Sequence, residues 1–299
     1  MPLPECLLCF EDELAFAIKL ANAIGNCTVQ RIERHTFPDG EIKLRLPAQL
    51  PTHVVILRSL HQPNEKLLEL LLASQTARKL GAQHLTLVAP YLAYMRQDIA
   101  FVAGEAISQK IIGRYLADLF DAVVTVDPHL HRISRLSQAI PTTHAISLSA
   151  APLLAEYVHK ASPDAILMGP DEESSQWIDL AAQQHHFEHG VCQKIRNGDK
   201  DVEITLPPIS VRGRHIVLLD DIASSGRTLA RTTELLLDHG AFSVDVAVTH
   251  ALFAQDAMQV LQSAGVRHVW STDCVAHPSN CISVDTLIAN AIRGLSFPK

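Results

Sequence analysis

No stretch of this sequence is apolar for long enough to span a bilayer, and no excess of basic residues marks it for a nucleic acid, since its formal net charge is -7. Proteins that bind nucleic acid by neutralising phosphates carry a basic face, so neither a membrane nor a nucleic acid is expected as partner. A small anionic ligand remains open, because a local cluster of donors overrides net charge. A GxxxxGK phosphate loop is absent, which removes the Walker-type kinases. Cysteine is sparse, six residues scattered along the chain. Cys6 and Cys9 have CxxC spacing but flank Leu7-Leu8 in an apolar run, and no second CxxC exists. Buried free thiols are therefore expected there, not a metal or redox site. The first residues show no positive region ahead of an apolar core and cleavage site, so no secretory leader is expected. A reducing, cytoplasmic setting follows as the expectation.

What the chain has is alternation. With 299 residues, 47% of them hydrophobic and 19% charged, it suits two medium domains better than one large core. Short aliphatic runs at 3–10, 53–57, 84–89 and 122–126 read as buried strands, and amphipathic runs at 11–24, 64–80 and 106–119 read as helices between them. The rhythm restarts after 150, with strands at 165–169, 214–219, 243–249 and 268–271. Helices are expected at 152–160, 177–186, 228–239, 256–264 and 285–293. Strand–helix–strand repetition gives parallel sheets covered on both faces. The fold class expected is α/β, two doubly wound parallel-sheet domains over 1–145 and 146–299, joined near 141–149. The last helix is expected to pack back on the first domain. Two similar halves suggest duplication. Ligands in open α/β sheets bind at the carboxyl ends of the strands, which directs attention to the residues just past each aliphatic run.

The strongest local signal is RHIVLLDDIASSGRTLARTTELLLDHG, residues 214–240. A buried strand ends in Asp220 and Asp221, a small-residue turn comes next, and a helix begins near Thr228. Small residues let backbone approach an anion, and amides at a helix start point at it with the helix dipole behind them. Two carboxylates accept hydrogen bonds from vicinal hydroxyls, as a ribose presents. Four further segments stand at strand ends or in loops. These are RHTFPDGE at 34–41, PYLAYMRQD at 90–98, VDPHLH at 126–131 and Gly169-Pro170-Asp171. A fifth, VCQKIRNG at 191–198, places two cations one residue apart in what reads as a polar loop.

Taken together these motifs resemble the ribose-phosphate diphosphokinase (PRPP synthetase) family, in the same order over essentially the whole chain. The loop alone is shared with type I phosphoribosyltransferases, and the resemblance implies a type I phosphoribosyltransferase-like fold for the two domains. It implies ATP contacts from Phe37, Asp39, Gly40, Glu41, Arg96, Gln97 and Asp98. It implies ribose 5-phosphate contacts from Arg196, Asp220, Asp221, Ser224, Ser225, Gly226, Arg227 and Thr228. Magnesium would be met by His129 and Asp171, and Lys194 and Arg196 would be catalytic. A homo-oligomer with the ATP site near a subunit interface is implied as well. His129 and His131 read as two histidines at i, i+2 on a strand, and His131 is expected to be structural, since no third zinc ligand is evident.

Two departures stand out. Where the family carries adjacent glycines, this chain has Gly226-Arg227, and an arginine is unfavourable wherever φ must be positive. After Asp98 the usual basic run is replaced by Ile99-Ala100-Phe101-Val102-Ala103-Gly104-Glu105. Ser224 and the Gly-Glu-Ala-Ile-Ser segment place the chain nearer archaeal-type members. Three activities stay open on the sequence alone. The expected one transfers the diphosphoryl group of Mg-ATP to the C1 hydroxyl of ribose 5-phosphate, giving PRPP and AMP. The others are a non-catalytic nucleotide-binding homologue that modulates a partner, and a transferase that consumes PRPP.

Overall fold

A computed structural model describes residues 3–197 and 201–297. The side chains of residues 194–203, Lys194 and Arg196 among them, lie outside the described residues. The chain divides into two compact units, Met1–Leu148 with Asp285–Lys299, and Ser149–Val284.

The first unit contains strands β1 (Cys6–Cys9), β2 (Thr28–Arg31), β3 (Glu33–Thr36), β4 (Ile42–Arg45), β5 (His53–Leu57), β6 (His84–Ala89), β7 (Ala122–Val126) and β8 (His144–Leu148). Its helices are α1 (Leu14–Ile24), α2 (Pro63–Lys79) and α3 (Ser108–Leu119). Six strands form one parallel sheet in the order β2-β1-β5-β6-β7-β8, and β3 and β4 form a separate antiparallel hairpin. The central strands β1, β5, β6 and β7 are almost wholly buried, which is why they read as continuous aliphatic runs rather than as alternating ones.

The second unit contains α4 (Ala151–Ala161), β9 (Ile166–Gly169), α5 (Ser175–His185), β10 (His189–Val191), β11 (Gln193–Asn197), β12 (Asp201–Thr205) and β13 (His215–Ala223). It continues with α6 (Arg227–Asp238), β14 (Ser243–Ala251), α7 (Ala257–Ser263), β15 (Val266–Thr272) and β16 (Asn280–Ile282). Its parallel sheet runs β10-β9-β13-β14-β15-β16, the same spatial order by position as the first. Side chains alternate across it. Ile216 and Leu218 join a core with Leu229 and Leu236 of α6, while Val217 and Leu219 join one with Leu154 of α4 and Trp177 of α5. A helix α8 (Asp285–Arg293) then returns to the first unit, packing on α1 and donating from Arg293 Nη1 to the Ala23 carbonyl at 2.7 Å. Among the described residues no helix is long and apolar enough to cross a membrane.

Three sequence expectations need correction. The segment read as a polar loop around residues 194–196 is strand β11, paired antiparallel with β12. The junction segment 141–149 contains β8, a half-buried edge strand whose mixed sequence hides it. His129 and His131 do not lie on a strand, since β7 ends at Val126 and a left-handed Asp127 (φ 35°) turns the chain into a loop.

Candidate functional site

In the second unit, β13 runs to Ala223, beyond the aliphatic run that announced it, carrying Asp220 and Asp221 within the strand. The side chain of Asp220 accepts from the Asp221 amide at 3.0 Å. Burial first, and then the neighbouring charges of Asp221 and Asp171, push the Asp220 carboxyl well above the usual carboxylate range. Asp171 comes from the end of β9, where Gly169 leaves room for the turn: a Cβ there would lie 2.1 Å from Ser174 Oγ. Ser174 closes that turn by donating its hydroxyl to the Asp171 carbonyl at 2.5 Å.

The turn after Ala223 is Ser224-Ser225-Gly226, and α6 begins at Arg227. Gly226 is the helix N-cap, at φ 69°, and a Cβ on it would meet the Ala257 carbonyl and Leu261 at 3.3 Å. The left-handed position thus falls on the glycine that is present. Arg227 is the first helical residue, is not among the positive-φ residues and is exposed. The strain expected at this arginine does not arise. Ser224, Ser225 and Thr228 flank this helix start, whose first amides have no intrahelical acceptor.

In the first unit, a cavity of about 470 Å³ opens beside the ends of β6 and β7, lined by Tyr91, Tyr94, Arg96, Gln97, Glu105 and His129 among others. Its floor is a turn that the sequence did not announce. Tyr94 sits at φ 62°. Buried Gln109 of α3 donates to the Met95 carbonyl at 2.9 Å, and its amide donates to the Gln97 carbonyl at 3.1 Å. Arg96 is thereby left exposed and Gln97 half-exposed at the cavity. Asp98 behaves differently: its side chain is 3% exposed and one oxygen accepts from Arg132 Nη1 at 2.6 Å. The rings of His129 and His131 meet edge to face, 4.2 Å apart.

Phe37, Asp39, Gly40 and Glu41 stand elsewhere in the first unit, on the exposed tip of the β3–β4 hairpin. Gly40 has φ 92°, its amide donates to the Phe37 carbonyl at 2.9 Å, and the Glu41 amide donates to Asp39 Oδ1 at 3.1 Å. These bonds explain the Pro-Asp-Gly turn chemistry. Arg34 anchors the hairpin by donating to Glu69 of α2.

A charged cluster that sequence reasoning missed lies at the end of β5. Arg58, 1% exposed, pairs with Asp12 (2.8 Å), Glu13 (3.1 Å) and Glu69 (2.6 Å) and lies over the Phe10 ring. Lys66 donates to the Ser59 carbonyl at 2.7 Å and lies 3.2 Å from the His61 ring, and burial lowers it to about 8. Only the solitary arginine following an aliphatic strand hinted at this. Cys6 and Cys9 are free, buried and pushed by burial to about 12, so they are inert thiols.

Two doubly wound units, one carrying an acid pair near the end of a strand that leads through a small-residue turn into a helix, the other holding a cavity beside its strand ends, define a phosphoribosyltransferase-like fold. Residues 6–120 match the model of the N-terminal domain of ribose phosphate pyrophosphokinase, and residues 138–277 match the phosphoribosyl transferase domain. A ribose-phosphate pyrophosphokinase of Methanopyrus kandleri is 33% identical, over 89% of this chain and 91% of its own. Ribose-phosphate pyrophosphokinase 2 of Archaeoglobus fulgidus is 36% identical, over 86% and 89%. The crystal structure of phosphoribosylpyrophosphate synthetase from Mycobacterium smegmatis superposes with a TM-score of 0.82, at 23% identity over 97% of this chain and 98% of that one. The chain belongs to the ribose-phosphate pyrophosphokinase family and is an enzyme.

Proposed function

We propose that this enzyme transfers the diphosphoryl group of ATP to the C1 hydroxyl of ribose 5-phosphate. The carrying observation is that one chain of this family holds both an acid pair with a small-residue turn after it, on β13, and a cavity in the first unit lined by Arg96, Gln97 and His129. A transferase that consumes PRPP has no need of the second. The ground for a non-catalytic homologue weakens, because Arg227 starts α6 without strain.

On this reading the C1 hydroxyl oxygen attacks the β-phosphorus and gives up its proton to solvent, the bond from that phosphorus to the α–β bridging oxygen breaks, and AMP leaves with the bridging oxygen. The amides from Ser224 to Thr228 hold the 5-phosphate, and Asp220 and Asp221 accept hydrogen bonds from the ribose hydroxyls. Arg96 and Gln97 grip the nucleotide, and the hairpin tip with Phe37, Asp39, Gly40 and Glu41 supplies contacts to the adenine in a homo-oligomer. Asp98 acts through the residue it binds. Lys194 and Arg196, on β11, counter the charge that develops on the transferring group.

The acid group of the second unit fits Mg²⁺. Hard divalent cations take oxygen ligands, and the burial and carboxylate repulsion that push Asp220 up are what such a charge offsets. Asp171 would hold it with the acid pair, and His129 would face the metal carried by the nucleotide. When bound, the ion neutralises phosphate charge and orients the displacement.

Release of AMP from ATP, ribose 5-phosphate and Mg²⁺ by the purified protein tests the reading, and no ATP-dependent AMP would overturn it. Within it, Lys194→Ala is expected to keep ribose 5-phosphate binding, measured by calorimetry, while kcat falls by about 10² or more. An unchanged kcat would remove Lys194 from the machinery.

A further inference from the structure

The segment after Asp98 has no cation from Ile99 to Glu105, yet it borders the cavity proposed as the nucleotide site. A polyphosphate in that cavity needs positive charge, and among its described lining residues Arg96 is the one cation. A second cation stands beside it, on a different loop. Arg132 lies three positions beyond His129, a lining residue, and its Nη1 donates to Asp98, the neighbour of the lining residue Gln97, at 2.6 Å. Both ends of this ion pair are therefore tethered to the cavity wall.

The pair is built asymmetrically. Asp98 is 3% exposed and its second oxygen, Oδ2, is buried with no hydrogen-bond partner. Arg132 is 52% exposed, and its guanidinium also lies over the Phe101 ring, 6.0 Å from the centroid. Phe101 is itself fixed. Its amide donates to Glu105 Oε2 at 2.7 Å, and the Val102 amide donates to the same oxygen at 3.2 Å. One edge of the guanidinium is thus oriented by a carboxylate and one face by an aromatic ring. A guanidinium carries five N–H donors in a planar fork, and a single one is used by Asp98. Orienting an arginine on an acid and a ring while leaving most of its donors exposed prepares it for an external anion with two or more oxygens.

We infer that Arg132 binds the phosphate chain of the nucleotide, replacing from the β7 side the charge that the segment after Asp98 lacks, and that Asp98 and Phe101 are its positioning residues. The inference rests on the cavity being the nucleotide site. A purely structural tie between two loops is the competing explanation, and the two differ in how the effect depends on phosphate number.

The experiment is calorimetric titration of the full-length protein with adenosine, ADP and ATP, in the native form, Arg132→Met, and the double variant Phe101→Arg/Arg132→Met. Arg132→Met is expected to weaken ADP and ATP by roughly tenfold or more, the scale of a lost charge-assisted hydrogen bond, and adenosine by less than about twofold. The double variant is expected to regain much of the ATP affinity, since it returns the cation to the segment that lacks one. In steady state, KM for ATP should rise more than kcat falls, with KM for ribose 5-phosphate unchanged. Equal weakening of adenosine and ATP, or no weakening of either, would overturn the inference while leaving AMP release by the native enzyme intact. Failure of the native enzyme to bind adenine nucleotides would instead overturn the reading of the cavity. If Arg132→Met does not fold, Arg132→Lys keeps the charge and loses the fork, and an intermediate, phosphate-dependent weakening is expected of it.

Discussion

At the residue scale, Asp220 shows a conflict between stability and function. Its carboxyl is held above the ordinary range by burial and by the charges of Asp221 and Asp171. A folded pKa above the unfolded one, about 4 for an aspartate, means that the folded state binds more protons in the interval between the two. Stability is then greatest below the unfolded value and falls as pH rises through that interval. Above the unfolded value the acid group is therefore a standing cost in the ligand-free protein. Asp220→Asn is expected to raise Tm at pH 7, measured by calorimetry without ligand, and to flatten the loss of stability as pH rises from about 4. The same substitution should abolish AMP release. A lower Tm in the variant would show that Asp220 is structurally required. The acid pair and Gly226 were legible in the sequence because their residue types answer to chemistry that few others supply. The partnership of Asp98 and Arg132 was not, because the two are 34 positions apart and only the fold joins them.

Elements differ in how openly their sequences declare them. The strands His53–Leu57, His84–Ala89 and Ala122–Val126, and the helix Asp285–Arg293, have the limits that their patterns suggested, since burial on both faces of a sheet writes an unbroken aliphatic run. The β3–β4 hairpin carries the motif around Phe37 but was invisible as two strands. Its first strand, ERHT, is exposed throughout and has no apolar alternation, and its second, IKLR, alternates over four residues only, too short a run to stand out. The hairpin is held by a cross-element contact from Arg34 to Glu69 on α2 and by Leu44, which packs against the core, and Glu69 also serves Arg58. Removing Arg58 leaves Glu13 and Glu69 buried without it. Arg58→Met is therefore expected to destabilise the first unit by roughly 3–5 kcal/mol, read by urea denaturation. Nucleotide affinity should fall less than stability, because Arg58 does not line the cavity beside β6 and β7. A change under about 1 kcal/mol would mean that the acids find other partners.

For the molecule as a whole, two sheets share one strand order, β2-β1-β5-β6-β7-β8 and β10-β9-β13-β14-β15-β16. By position β5 corresponds to β13, and the chain leaves both strands for a helix, α2 in one and α6 in the other. The shared topology supports the duplication that the sequence rhythm suggested, although no residue-level repeat survives to show it. At the end of β13 stand two acids and a small-residue turn. At the end of β5 stand Arg58 and Ser59, with Lys66 bonded to the Ser59 carbonyl and Asp12, Glu13 and Glu69 gathered on the guanidinium. The first unit has therefore filled its own version of the crevice with internal counter-ions. The consequence is one of arithmetic: an ancestor with two equivalent cradles could seat two sugar phosphates per chain, whereas this chain should titrate with one. Calorimetric saturation with ribose 5-phosphate at a ratio near one per chain is the expected result, and a ratio near two would mean that the salt-filled crevice still opens.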